Sequence, residues 1–118
     1  MIRALTASLT FGLLFPALAH AQIEVPPLEG RVNDRAGMLD TRQRAALESM
    51  LQAYEEQTGH QFALLTVPSL EGDPIEDFSI RVAEAWKLGS KDRDDGLIVV
   101  VARDERKLRI EVGYGSNI

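Results

Sequence analysis

Apolar side chains recur at helical spacing between residues 41 and 58, and this stretch predicts the first helix. Asp40 stands at the predicted N-cap, and Gln43, three residues on, completes a capping box. Gly59 follows the end, where a left-handed backbone costs glycine little. The apolar stripe that should pack against the rest of the domain consists of Ala46, Leu47, Met50, Leu51 and Tyr54.

A second helix is predicted to follow Asp73. This aspartate is expected to be the N-cap, with Pro74 at the first helical position and Glu76 completing a capping box. Gly89 is expected to end the helix. Its buried stripe is predicted to comprise Ile75, Phe78, Val82, Ala85 and Trp86.

Three apolar segments predict strands. Residues 61–67 show little alternation, which is typical of a strand covered on both faces. Residues 97–102 are more apolar still and predict a central strand. Residues 107–112 alternate strictly, which favours a strand with one wet face, antiparallel to the strand before it. Residues 32–34 are expected to form only a short turn.

The order helix, strand, helix, strand, strand predicts an α/β domain with a small mixed sheet flanked by helices. The strand–helix–strand unit implies parallel pairing of residues 61–67 with 97–102 through a right-handed crossover. Two helices must then cover both faces of the sheet. We therefore expect that either a further helix is missing or a partner covers part of one face.

The amino-terminal residues have the pattern of a secretory signal peptide. Arg3 precedes an apolar run, and Ala19-His20-Ala21 fits a cleavage site after residue 21. The run is shorter than the roughly 20 apolar residues that span a bilayer. The sequence therefore predicts a signal peptide over residues 1–21 and a protein that is exported to the periplasm or another extracytoplasmic space.

The remainder divides into two parts. Residues 22–31, called the lead-in below, contain Pro26, Pro27 and Gly30 and are predicted to be extended and outside the core. Residues 32–118 are long enough for one small domain.

Composition narrows the function further. The formal net charge is −5, and no cluster of basic residues suggests a nucleic-acid partner. The chain has no cysteine, which excludes disulfides, thiol nucleophiles and thiolate metal sites. The fold must therefore rest on its apolar core.

Several short motifs together resemble the TPM domain family between residues 32 and 115. They are Val32-Asn33-Asp34-x-Ala36-Gly37-x-Leu39, Thr58-Gly59-x-Gln61, Leu88-Gly89-x-Lys91, Asp95-Gly96-Leu97 and Arg109-Ile110-Glu111-Val112-Gly113-Tyr114-Gly115. The resemblance implies a mixed sheet between helices, a three-layer sandwich whose last helix lies beyond these motifs. Because the chain ends at Ile118, that helix is expected to be missing here, together with the membrane anchor that often follows it.

The resemblance also implies two kinds of activity. Some members of the family are accessory to membrane-protein complexes or bind calcium or another divalent cation through acidic residues. One plant member is tied to acid phosphatase activity. For this chain the first hypothesis is an extracytoplasmic binding or accessory module with an envelope membrane-protein partner. The alternative is a metal-dependent phosphatase, so whether the chain is an enzyme stays open.

Acidic residues are the candidate ligands. Asp94 and Asp95 belong to an acidic loop whose oxygens suit a hard cation, and the resemblance adds Asp34. The loop is also explained as a solvated Asp-Gly turn, and Asp34 as a turn cap. Ligands in α/β sheets usually gather beyond the carboxyl ends of strands, which makes the loops 68–72 and 103–106 rival positions. The rival acids are Glu71, Asp73 and Asp104.

No other residue offers a stronger case for catalysis. His60 follows the glycine that ends the first helix and is expected to be an exposed turn residue rather than a base. No serine stands in a nucleophile-elbow motif, and no triad can be assembled. Tyr54 and Trp86 are expected to be core residues.

Overall fold

The computed structural model describes Gly12, residues 22–88 and residues 96–113. The elements are β1 (Val32–Asp34), α1 (Thr41–Thr58), β2 (Gln61–Val67), α2 (Ile75–Trp86), β3 (Gly96–Ala102) and β4 (Lys107–Val112). The sheet order is β1-β2-β3-β4, with β1, β2 and β3 parallel and β4 antiparallel to β3. The predicted α/β class, the mixed sheet and the parallel pairing of β2 with β3 are confirmed.

The main core lies between the sheet and α2. From β3, Ile98, Val100 and Ala102 are buried on this face, because alternate residues of a strand point the same way. The helix contributes Phe78 and Val82, both fully buried. Ala85, predicted for the same stripe, is instead exposed, since it lies on the outer side of the helix.

The lead-in takes part in this core, contrary to the prediction that it would lie outside. Ile23 and Val25 pack against the buried cluster. The indole Nε1 of Trp86 donates to the carbonyl oxygen of Pro26 at 2.9 Å. An extended segment can cover apolar surface without apolar periodicity, which is why the sequence pattern did not reveal this role.

Helix α1 has its predicted bounds and capping box, with Asp40 and Gln43 each accepting the other's backbone N–H. Its apolar stripe was predicted to pack against the rest of the domain, but no residue of α1 is fully buried. Met50 is 65 % exposed and Tyr54 38 % exposed. On the side of α1 away from Met50 and Tyr54, Glu48 and Glu55 form ion pairs with Arg31 of the lead-in.

Residues 32–34 form a strand rather than the predicted turn. They pair in parallel with β2, from Val32 beside Leu64 to Asp34 beside Thr66. Asn33 is buried, and its Nδ2 donates to the carbonyl oxygens of Gly30 and Leu64. Three residues are too few to show a strand period, and the middle one is polar.

The predicted start of the second helix is also wrong. Pro74 is the N-cap without a side-chain cap bond, and the helix begins at Ile75. Asp73 is buried and binds Arg81 instead. At the other end Lys87 takes the left-handed position at φ 47°, while Gly89 lies outside the described residues.

Candidate functional site

The carboxyl edge of the sheet, where α/β proteins usually bind ligands, is a network of loops tied to each other. The amide of Arg103 donates to the carbonyl of Val67 at 3.0 Å, and its guanidinium Nη1 donates to the carbonyl of Ala36 at 2.8 Å. The amide of Asp104 donates to the carbonyl of Pro68 at 3.1 Å. The loops that follow β1, β2 and β3 therefore form one connected edge.

Asp34 lies at this edge and organises the turn after β1. Its carboxylate accepts hydrogen bonds from the amides of Met38 at 2.9 Å and Leu39 at 2.8 Å. The hydroxyl of Thr66 on β2 donates to the same carboxylate at 2.6 Å. Three donors thus bind Asp34 from its own loop and from the neighbouring strand, which favours the alternative of a turn cap.

Competing effects set the acidity of Asp34. Burial acts to raise its pKa, but the Thr66 hydroxyl, the Met38 and Leu39 amides and the charge of Arg44 stabilise the carboxylate and outweigh burial. The net result is a pKa below the ordinary value. Asp34 is therefore a carboxylate, not a proton donor, at neutral pH.

Asp34→Asn is expected to lower the free energy of unfolding by about 1–2 kcal/mol at neutral pH, because charge-assisted hydrogen bonds become neutral ones. The folded pKa lies below the unfolded value of about 3.9. The stabilisation is therefore fully present above about pH 4 and is lost as the pH falls through the folded pKa. Urea unfolding of both proteins from pH 7 to pH 2 measures this; a difference that stays constant or grows in acid would contradict it.

The rival acids of this edge have structural partners or face solvent. Asp104 pairs with the guanidinium of Arg103 at 3.0 Å, Asp73 binds Arg81, and Glu71 is exposed. Sequence reasoning missed Glu105, whose Oε2 accepts from the Leu70 amide at 2.6 Å and the Ser69 hydroxyl at 3.1 Å. A glutamate that links two loops leaves no local sequence signal.

Asp94 and Asp95 lie outside the described residues. The strand that follows them begins at Gly96, which pairs with Gln61 at the amino edge of the sheet. Asp34, by contrast, is level with Thr66 and hence with Val101, about 17 Å further along β3. The structure thus places Asp34 at the opposite edge from the start of β3.

Binding of calcium or another divalent cation by these three aspartates stays a prediction. Within residues 22–88 and 96–113, no group of three or more His, Cys, Asp or Glu side chains is arranged to hold a metal ion.

The amino edge contains a cavity of about 540 Å³. Its lining includes Arg31, which is already paired with Glu55, and the hydrogen-bonded pair raises the pKa of the guanidinium. The cavity lining is Leu28, Glu29, Gly30, Arg31, Glu55, Gln61, Phe62, Ala63, Trp86, Lys87 and Leu88.

A further candidate surface is the sheet face opposite α2. Over β1 and β2 this face carries α1, whereas no described helix packs across it over β3 and β4. Its side chains are apolar, and those of β4 are 46–60 % exposed. We call this surface the open face; it consists of Leu97, Val99 and Val101 of β3 and Leu108, Ile110 and Val112 of β4.

In a strand that alternates apolar and polar residues, the apolar row usually faces the core, but in β4 it is the exposed row. The strand pairs antiparallel with β3 as predicted, but its apolar row is the wet one. Arg109 and Glu111 point to the α2 side, are half-buried and bond to each other at 2.6 Å. The expectation of a sheet face left uncovered by two helices is confirmed for the described residues.

An aromatic wall borders the open face on the α1 side. The ring edge of Tyr54 meets Phe62 with centroids 4.8 Å apart, and Phe62 neighbours Leu97 in the sheet. Tyr54 is thus not the core residue predicted, whereas Trp86 is, at 8 % exposed. His60, expected to be exposed, is half-buried and stacks on Tyr54. Tyr54, Phe62 and His60 thus form an aromatic cluster on the α1 side of the open face.

Comparisons with known proteins agree on one family. The family model described as TPM domain matches residues 32–117. The N-terminal domain of a P. gingivalis protein, solved by NMR, is 36 % identical with a TM-score of 0.65, over 71 % of this chain and 54 % of that chain. A Corynebacterium glutamicum N-terminal domain, at 16 % identity, shares the fold with a TM-score of 0.61, over 80 % of this chain and 62 % of its own.

This chain therefore spans less than two thirds of the length of either solved relative. A comparison with curated proteins found no match. Among the described residues, neither helix has the length and apolar character needed to span a bilayer.

Proposed function

This chain belongs to the TPM domain family, and from that premise we propose that it is an extracytoplasmic binding module whose open face holds an apolar helix of a protein partner. The observation that carries the proposal is the exposed apolar row of Leu108, Ile110 and Val112 beside the half-buried row of β3. The signal-peptide pattern of residues 1–21 supports a site of action in the cell envelope. An accessory role in a membrane-protein complex fits both.

The dimensions of the open face suit one helix. Strands lie about 4.8 Å apart, so β3 and β4 together offer a floor about 10 Å wide, close to the diameter of a helix. Their six paired positions extend for about 20 Å, which corresponds to roughly 13 helical residues. Helix α1 covers the other half of the same face in the same manner, so a second helix would complete the layer.

The chemistry of the open face selects an apolar partner surface. None of its six side chains carries a charge or a hydrogen-bonding group. Met50 and Tyr54 of α1 add exposed apolar surface on the α1 side of the open face. An amphipathic helix can cover these side chains while its polar side stays in water, in the manner of helix-in-groove recognition. Burial of apolar area would supply the free energy of binding.

Binding to the open face can be measured with a synthetic 18-residue amphipathic peptide whose helix has one leucine face. Ile110→Lys is expected to weaken binding of this peptide to the full chain at least tenfold, because the mutation places a charge at the centre of the open face. Isothermal titration calorimetry gives the dissociation constants.

Met38→Lys is the matched control. Met38 is exposed to a similar extent but lies in the loop after β1, at the carboxyl edge. The Met38→Lys variant should bind the peptide with the same dissociation constant as the unmodified chain. Equal binding by the Ile110 and Met38 variants, or no binding by the unmodified chain, would count against the open face as the binding surface.

A further inference from the structure

Strand β4 is an edge of the sheet, and one pairing bond shows which of its backbone groups point outward. Among the described residues, β4 pairs with β3 alone in the four-stranded sheet. The amide of Gly113 donates to the carbonyl of Gly96 at 2.9 Å, so residue 113 points its backbone groups toward β3. Orientation alternates along an antiparallel strand. The N–H and C=O groups of Leu108, Ile110 and Val112 therefore point away from β3, along the outer side of β4.

Of the devices that usually prevent strands from pairing with other chains, this edge has charged side chains, at Lys107, Arg109 and Glu111, but two others are absent. It contains no proline, and its register with β3 is continuous from residue 107 to residue 112, without a bulge. The other edge strand, β1, has only three residues. Of the two edges, β4 is therefore the one long enough to accept another strand.

We propose that a second copy of this chain pairs with the outer edge of β4, antiparallel, about a two-fold axis at Ile110. In that register Ile110 faces Ile110 of the second copy, and Leu108 faces its Val112. The outward backbone groups of the three residues then exchange six hydrogen bonds between the two copies. The two sheets become one sheet of eight strands.

The charges of Arg109 and Glu111 favour this register over the two registers shifted by two residues. With Ile110 on the axis, Arg109 faces Glu111 of the second copy, and this pair occurs twice. A shift that preserves the hydrogen bonds moves the register by two residues and places either Arg109 opposite Arg109 or Glu111 opposite Glu111. Opposite charges directly across strands stabilise pairing and like charges oppose it. The pattern of β4 is thus complementary to itself in one antiparallel register.

Helix α2 adds apolar surface above the same edge. Helix α2 packs against β4. The pKa of Arg109 is raised chiefly by its hydrogen bond with Glu111 and further by the charge of Glu76, so the Glu76 side of α2 lies toward β4. Ile80 lies one helical turn from Glu76 and is 45 % exposed. In the pair of chains, the two α2 helices run side by side and cover Ile80. A two-fold arrangement also closes, since it uses the β4 edge of both copies.

Charge reversal tests the pairing. Analytical ultracentrifugation of the full chain should show a monomer–dimer equilibrium, and Arg109→Glu and Glu111→Arg should each weaken it at least tenfold. The double variant Arg109→Glu/Glu111→Arg should restore dimerisation to within about threefold of the unmodified chain. An equimolar mixture of the two single variants should form heterodimers, because all four facing charges are then opposite.

The register is tested by single cysteines, since the chain has none of its own. Paired residues on the axis bring their Cα atoms to about 5.5 Å, within the range of a disulfide. Ile110→Cys should therefore form a disulfide-linked dimer on oxidation, whereas Leu108→Cys should not, because residue 108 faces residue 112. A monomeric chain, a double variant that stays monomeric, or faster cross-linking at residue 108 would overturn the proposal.

These tests are separate from the test of the open face. Arg109 points to the α2 side of the sheet, so Arg109→Glu should weaken dimerisation at least tenfold while leaving affinity for the leucine-faced peptide unchanged. A chain that binds the peptide but stays monomeric would remove the dimer and leave the proposed function standing.

Discussion

Arg81→Met is expected to cost about 3–5 kcal/mol of the free energy of unfolding, because it leaves a buried carboxylate without its partner. The Asp73 side chain is 2 % exposed, and its Oδ2 accepts from Nη2 of Arg81 at 2.6 Å. The same Nη2 donates to the carbonyl of Ile23 at 2.9 Å, so the guanidinium also fastens the lead-in. The guanidinium lies 5.6 Å from the ring of Phe78. Urea unfolding of the full chain measures the loss.

A double variant separates the unpaired charge from lost packing. Asp73→Leu/Arg81→Met replaces both charges by apolar groups and should recover most of the stability, since an apolar pair can equal a buried ion pair. If the single variant loses less than 1 kcal/mol, or the double variant is less stable than the single one, the ion pair does not have the role assigned to it.

Gly96→Ala is expected to cost about 2–3 kcal/mol through overpacking. A Cβ at this position would lie 2.5 Å from the carbonyl carbon of Leu88 and 2.6 Å from its oxygen. Backbone atoms cannot rotate away like a flexible side chain, so either β3 or the end of the α2 segment must move. Thermal and urea unfolding of the variant measure the cost.

Gly30→Ala is the control for this substitution. The added Cβ would lie 3.4 Å from a carboxylate oxygen of Glu48, which is an ordinary van der Waals contact. We expect a change below about 0.5 kcal/mol, as for substitutions without steric conflict. Equal effects of the two substitutions would show that the approach of Leu88 does not require glycine. For Gly96 the sequence suggested only an Asp-Gly turn. The close approach of Leu88 to Gly96 becomes visible only in the folded structure.

Local signals predicted the elements with the strongest boundaries. The capping box at Asp40 and Gln43 and the glycine at residue 59 gave α1 its exact ends, and the apolar runs gave β2 and β3. Pairing of β2 with β3 followed from the crossover rule. These features depend on neighbouring residues in the chain or on rules shared by all α/β folds.

Distant partners decided what local signals could not. Asp73 looked like an N-cap, but Arg81 binds it from two turns along the helix. Asn33 lies in a strand because its amide bonds to Leu64 across the sheet. Glu105 joins Leu70 from another loop. None of these contacts leaves a periodic trace, because each links residues through the folded backbone.

The candidate site was partly predictable for the same reason. Counting helices against sheet faces predicted an uncovered surface, yet alternation in β4 could not say which row would be wet. Strict alternation shows only that a strand has two unlike faces. Here α2 lies over the row of Arg109 and Glu111, and no described helix covers the row of Ile110.

Methyl-resolved NMR of the full chain during titration with the leucine-faced peptide tests the binding role of the open face most directly. We expect shift changes in the methyl groups of the β3 and β4 apolar rows, centred on Ile110, and in the neighbouring Met50. Changes centred instead on Met38 and Ala36 at the carboxyl edge, with the β4 methyl groups unmoved, would contradict it.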